Sequence, residues 1–271
     1  MVISPNNSLV INENAGICRI TLNRPKMLNA INFDMAVALR KVAADIAIDK
    51  KVRVVIIDGR GDHFMAGGDI RSFKSFLDKS PNEKDLRNHF KEILEIVHEF
   101  ISDLRAMPKP VIGAIKGAVA GAGVSLMLAC DIVYASEDAF FNLAYCHLGT
   151  SPDGGSTYTL PRTVGLKRAF EMAMLGERFD AEVALETGMI NKIIPTTTLN
   201  KEINNLAIRL AKGPAIALGN TKALLNSSFH RTLDEQLNAE AKSFIDCTMT
   251  QDFYEGVTAF TEKRSAQFTG K

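Results

Sequence analysis

An excess of charge of either sign is missing from this sequence. Over 271 residues, 32 Lys and Arg stand against 31 Asp and Glu, a formal net charge of +1. That balance argues against a general polyanion-binding surface, and so against nucleic acid as a partner. Cysteine is scarce too. Cys18, Cys130, Cys146 and Cys247 show no paired spacing of the metal or redox kind and suggest no disulfide framework. They are expected to be reduced and mostly buried. No apolar run reaches the roughly 18 residues of a membrane span. The nearest, VIGAIKGAVAGAGVSLMLAC, is interrupted by Lys116 and glycines. The N-terminus MVISPNNSLV has neither a positive n-region nor an apolar h-region, so it is not read as a secretory signal. A soluble cytoplasmic protein is the expectation.

What is present is a strand and helix alternation. Leu9–Asn12 and Ile17–Leu22 alternate in polarity around Asn14-Ala15-Gly16, predicting a β-hairpin. Asn32 is placed to cap a helix running to about Asp49, with Met35, Leu39, Val42 and Ile46 at helical spacing. Val52–Ile57 is a continuous apolar run, as for a strand covered on both faces. Residues 69–106 read as helical with a break at Lys79–Asn82. Val111–Ile115 and Ile132–Ala135 are predicted strands, with a glycine-rich turn at Gly117–Gly123 and a helix over Val124–Cys130 between them. This alternation implies crossover connections and parallel pairing. Beyond about Gly165 helical patterns fill 167–175, 181–187, 199–211, 215–226 and 233–263, the last broken near Thr248.

Two segments place glycines where a strand gives way to a helix: Met65–Ile70 (MAGGDI) and Gly117–Leu126 (GAVAGAGVSL). Glycine permits close approach to the main chain, and a helix starting there presents unpaired N–H groups and a positive dipole end. Such a pair suits an anion held by backbone donors. Phosphate loops are a poor match. GxxxxGK[ST] is absent, and after Gly121-Ala122-Gly123 the third glycine of GxGxxG is replaced by Leu126.

The sequence resembles the crotonase (enoyl-CoA hydratase/isomerase) superfamily in five places. Leu22-Asn23-Arg24-Pro25-Lys26 with Leu28-Asn29-Ala30 looks like its opening motif, and MAGGDI and GAVAGAGVSLMLACDI like its two oxyanion segments. LGTSPDGGSTYTLPRTVG resembles its active-site loop and AFTEKR its C-terminal helix. The order and spacing hold from residue 9 to 264. The resemblance implies an α/β fold, a crotonase-like spiral of stacked ββα units over 1–196 with a helical trimerisation region over 197–271. It also implies an acyl-CoA thioester substrate with no separate cofactor, no metal, and assembly as a homotrimer or dimer of trimers.

By the same resemblance the oxyanion donors fall on the N–H groups of Ala66 and Ala122. Hydratases of the family carry two glutamates whose positions here hold Ser125 and Tyr145, and neither is a carboxylate base. Asp153, in SPDGG, sits where isomerases of the family keep an acidic proton shuttle. Without that context, Pro-Asp-Gly is an ordinary turn. Phe73, Phe76, Leu77, Leu143 and Tyr145 are expected to wall Asp153 in apolar surface. Asp69 is read as a helix cap, and His63 and His147 as structural. The CoA path is expected along Arg24, Lys26 and Leu28, past Ala66, Gly67, Gly68, Asp69 and Ile70, with Ala122, Ser125 and Tyr145 around the acyl group. Phe260 and Lys263 match C-terminal positions that reach a CoA, sometimes a neighbouring subunit's. The activity implied is isomerisation of a β,γ-unsaturated acyl-CoA to its α,β isomer; the alternatives are hydration or other enolate chemistry, and a catalytically silent acyl-CoA-binding protein.

Overall fold

The computed structural model describes residues 2–271. The predicted hairpin is β1 (Leu9–Asn14) and β2 (Ile17–Leu22), antiparallel and closed by Ala15 and Gly16, both at positive φ as a tight primed turn requires. Asn32 caps α1 (Phe33–Ile48) by accepting the Met35 N–H at 3.1 Å. The buried stripe of Met35, Leu39, Val42 and Ile46 packs that helix onto the core. β3 (Val54–Gly59) is followed by α2 (Ile70–Leu77) and α3 (Glu83–Ala106), with the predicted break between them.

β4 (Val111–Ile115), β5 (Ala118–Ala120), α4 (Ala122–Ala129), β6 (Ile132–Ser136) and β7 (Phe140–Asn142) come next. The stretch read as a glycine turn therefore contains a short strand, β5. Its signal is three residues long, too short for alternation to show. α5 (Ser156–Val164), α6 (Leu166–Leu175), β8 (Phe179–Asp180), α7 (Ala181–Glu186) and β9 (Lys192–Ile194) complete the core. The C-terminal part consists of α8 (Leu199–Ala211), α9 (Ala215–Ser227), α10 (Leu233–Thr248) and α11 (Gln251–Thr261).

One sheet has the order β1-β2-β3-β4-β6-β9, parallel throughout except for the hairpin; the other is β5-β7-β8. A second layer of strand pairing extends the small sheet. Ile31 bridges Gly68 and Met65 bridges Val119, both in parallel, and β5 continues onto β7. Each turn of the chain therefore supplies one strand to the large sheet and one short extended segment to the second layer. Three of those turns then pass directly into a helix (α1, α2, α4). This is the crotonase-type ββα spiral, and it stacks the starts of α2 and α4 side by side.

Helix α8 falls beyond residue 196, on the side assigned to oligomerisation. Nevertheless Leu199, Ile203, Leu206 and Ala207 cover the second face of the large sheet over Val54, Ile56, Ile112 and Ala114. Two buried lysines tie helix ends to the core. Lys109 donates to the Ile46 and Asp49 carbonyls at the C-terminal end of α1, and Lys222 to Leu104 O (2.8 Å) and the Asp131 carboxylate (2.8 Å). Burial lowers the pKa of Lys222, and the facing Asp131 opposes that shift. All four cysteines are free, but only Cys18 is buried, and Cys146 is exposed on its turn. Among the described residues no helix is long and apolar enough to cross a membrane.

Candidate active site

The second-layer pairing fixes the two glycine turns against each other. Met65 N–H donates to Ala118 O at 3.2 Å and Ala120 N–H to Met65 O at 2.9 Å. Gly123 must lack a side chain, because a Cβ there would lie 2.2 Å from the Met65 carbonyl oxygen. Gly67, at φ +79°, lies with its Cβ position 3.1 Å from Ala120 O and 3.7 Å from Ala122 N. Gly121 (φ 50°, ψ −119°) opens α4, so Ala122 is its first residue and its N–H has no intrahelical acceptor.

The first donor is not Ala66. Its N–H is spent on Leu28 O at 3.0 Å, as one rung of the pairing to the 28–31 segment. Two further rungs flank Gly68: Ile31 N–H donates to Gly67 O (2.8 Å) and Asp69 N–H to Ile31 O (2.9 Å). In a parallel bridge the central residue's own N–H points the other way. Gly68 N–H therefore faces the β5–α4 side and meets no acceptor among the described residues. The free pair is Gly68 and Ala122. The sequence motif carried the correct turn but not the direction of each N–H, which depends on the partner strand.

The 145–156 loop lies beside this pair. A 3-10 turn (Tyr145–Leu148) sends the Tyr145 hydroxyl to donate to Asp153 Oδ1. The Tyr145 ring also passes Gly121, with Cε2 3.9 Å from the position of a Cβ there. Burial first, and then the facing Asp153 carboxylate, push the Tyr145 phenol well above its ordinary range, so it remains a donor. The Asp153 carbonyl accepts from Ser125 Oγ and Ser156 Oγ, both at 2.9 Å. Gly154 N–H reaches His98 Nε2 at 3.4 Å, a contact from α3 that sequence reasoning missed. The Asp153 side chain serves neither the turn nor the following helix. The cap of α5 is Gly155, with no side-chain bond, and the carboxylate is held by Tyr145.

Of the five side chains expected to wall Asp153, Tyr145 bonds to it and Leu143 is buried nearby in sequence. Phe73 instead lies over Gly68, 3.0 Å from its Cβ position, and packs edge-on against Phe90. Phe76 stacks on His89 at 3.9 Å, and Leu77 is exposed. The apolar surface behind Ala122, Ser125 and Gly154 comes from α3, through Val97, Phe100 and Ile101. Asp69 caps α2 by accepting Ser72 N–H at 3.2 Å, as expected. Burial would raise its pKa, but the Arg24 and Ser72 hydrogen bonds outweigh that and hold it below the usual value. His63 Nδ1 accepts Ala118 N–H at 3.0 Å and His147 Nε2 pairs with Gly176 O at 3.1 Å, so both rings are tied to backbone.

A family profile described as "Enoyl-CoA hydratase/isomerase" matches residues 12–271. The chain belongs to that family. The 1,2-epoxyphenylacetyl-CoA isomerase of Escherichia coli (strain K12) is 38% identical over 256 residues, 94% of this chain and 96% of that one. The mitochondrial enoyl-CoA hydratase of Pongo abelii is 34% identical over 256 residues, covering 94% and 84%. The crystal structure of an enoyl-CoA hydratase from Polaromonas sp. JS666 superposes with a TM-score of 0.90 at 31% identity, covering 96% and 99%. Family membership brings the coarse chemistry: an acyl-CoA thioester whose enolate oxygen is held in an oxyanion hole.

The positions expected along a CoA path are only partly free to bind one. Arg24 is committed to Asp69 Oδ2 at 2.7 Å and to the Ala30 carbonyl, with both partners of the ion pair largely buried. Lys26 and Lys263 are exposed and form no ion pair among the described residues. Leu28 is at φ 50° and half-exposed, its carbonyl engaged by Ala66. Ile70 is exposed at the start of α2. Asn29, fully buried, ties this loop down by accepting Arg24 N–H (2.9 Å) and donating to Arg60 O and His63 O. Phe260 is 84% exposed, on a cavity of about 450 Å³ lined by α9, α11 and the tail. Among the described residues no hydrogen bond or ion pair joins it or Lys263 to the oxyanion turns.

Proposed function

We propose that this protein is an isomerase that moves a double bond from the β,γ to the α,β position of an acyl-CoA. The observation that carries this reading is the pairing of one carboxylate, Asp153, with a free backbone donor pair, while Ser125 and Tyr145 occupy the two glutamate positions of the hydratases. Asp153 Oδ2, which has no hydrogen-bond partner among the described residues, takes the proton from the α-carbon. The electron pair moves onto the thioester oxygen, where the Gly68 and Ala122 N–H groups stabilise the dienolate. The carboxyl group then returns the same proton to the γ-carbon as the carbonyl reforms, so no water or second base is consumed. The E. coli relative, by its name an isomerase of an epoxidised acyl-CoA, supports isomerase chemistry on this scaffold. The Pongo hydratase relative supports hydration as the second reading, on the same oxyanion pair.

The two readings separate in one assay. Purified protein offered a β,γ-enoyl-CoA is expected to convert it to the conjugated isomer and to hydrate an α,β-enoyl-CoA poorly. Rapid hydration without isomerisation would overturn the proposal in favour of the second reading. CoA itself is proposed to lie over Leu28 and the Ala66–Ile70 backbone, with Lys26 and Lys263 meeting its phosphates.

We also propose that the chain assembles as a homotrimer or dimer of trimers. Helix α10 fully buries none of its residues, and Leu233, Leu237, Phe244 and Ile245 are exposed on it. Light scattering is expected to return three or six times the 29.6 kDa chain mass. Phe244→Asp with Ile245→Asp is expected to yield smaller species; a monomeric native protein would refute the assembly.

A further inference from the structure

Tyr145 touches both halves of the site. Its hydroxyl donates to Asp153 Oδ1 from eight residues away, and its ring lies along Gly121, the residue that opens the turn carrying Ala122 N–H. The loop around Asp153 has two consecutive glycines at positive φ, Gly154 (59°) and Gly155 (79°). Its backbone is fixed by three donors on one carbonyl: Ser125 Oγ, Ser156 Oγ and Ser156 N–H at 3.1 Å. None of the three restrains the carboxylate. Among the described residues the only hydrogen bond to that carboxylate comes from Tyr145, and the ring delivering it is half-buried.

We infer that Tyr145 is a positioning residue, which aims the Asp153 carboxylate at the substrate and fixes which of its oxygens carries the proton. This rests on the reading of Asp153 as the proton shuttle. By loading Oδ1 with a hydrogen bond, the phenol leaves Oδ2 as the one basic oxygen. Its ring passes the same turn, with Cε2 3.9 Å from where a Cβ on Gly121 would stand, so the side chain that holds Oδ1 also borders the turn carrying the Ala122 N–H. A carboxylate free to rotate would meet the α- and γ-carbons in turn only part of the time, and reacting geometry is costly to lose. Tyr145 does not itself exchange a proton, because burial and the neighbouring charge keep the phenol protonated.

The test is a double-mutant cycle on β,γ-enoyl-CoA isomerisation. Tyr145→Phe keeps the ring and removes only the donor, and is expected to lower kcat by about 10- to 100-fold with KM nearly unchanged. In the Asp153→Asn background the same substitution is expected to cause no further loss, since the two act as one unit. Tyr145→Gln, which restores a donor, is expected to recover part of the rate. Native kcat in Tyr145→Phe overturns the inference, as does an equal loss in both backgrounds. A lowered melting temperature with no recovery in Tyr145→Gln likewise assigns Tyr145 to structure alone. If Asp153→Asn itself runs at the native rate, the shuttle reading falls. If Asp153→Asn is inert while Tyr145→Phe is native, only the role of Tyr145 falls.

Discussion

Asp153→Asn is expected to lower kcat/KM for β,γ-enoyl-CoA isomerisation by about 10²–10⁴-fold, the range that a positioned general base contributes. The substitution preserves shape and leaves an oxygen for the Tyr145 hydroxyl, but an amide cannot accept the α-proton. The Asp153 backbone carbonyl, not its side chain, bonds Ser125 and Ser156, so the loop should remain in place. Melting temperature and competitive inhibition by free CoA are therefore expected to match the native protein. Kinetics on one β,γ substrate together with a thermal melt decide the matter. A variant that isomerises at the native rate removes Asp153 from the chemistry. A variant that loses activity and stability together returns it to the role of a turn residue.

The legibility of this site in the sequence followed the range of the interactions. The β1–β2 hairpin, the Asn32 cap and the Asp69 cap are local, settled within about four residues, and the chain announces each through residue type and spacing. The crossover strands β3, β4 and β6 were visible as apolar runs because both faces are covered. By contrast β5, β7, β8 and β9 have two or three residues each and exist through pairing with distant segments, so no window of sequence carries their signal.

The site repeats that division. The family resemblance singles out Ala122 and Asp153 as candidates and exposes the absence of acids at Ser125 and Tyr145. It does not reveal that Ala66 N–H is consumed by Leu28, 38 residues away, while Gly68 N–H meets no acceptor among the described residues. Nor does it reveal that Arg24, expected along the CoA path, is already balanced by Asp69 across 45 residues. In both cases a group expected to meet the substrate has a partner remote in sequence. The Tyr145–Asp153 bond is the opposite case. Tyr145 was noted for the glutamate it is not, and the donor it supplies was missed because only the folded turn points it at Asp153.

Ala122→Pro is the sharpest probe of the oxyanion pair. Replacing a side chain cannot delete an N–H, but proline does, and Ala122 is the first residue of α4, the one helical position where proline is favoured. The preceding residue is Gly121, which has no Cβ for the proline ring to strike. The helix is therefore expected to form, with its hydrogen bonds from Val124 and Ser125 to Gly121 O intact. What is lost is one of two donors aimed at the enolate oxygen. Such a loss costs about 10²–10³-fold in kcat. Because the donor acts on charge that develops only in the transition state, KM should change far less than kcat. The effect should also exceed what Tyr145→Phe produces, since Tyr145 acts through Asp153 whereas Ala122 N–H meets the reacting oxygen. An Ala122→Pro protein that folds, binds CoA and retains its kcat would show that the enolate oxygen is held elsewhere, leaving Gly68 without its partner.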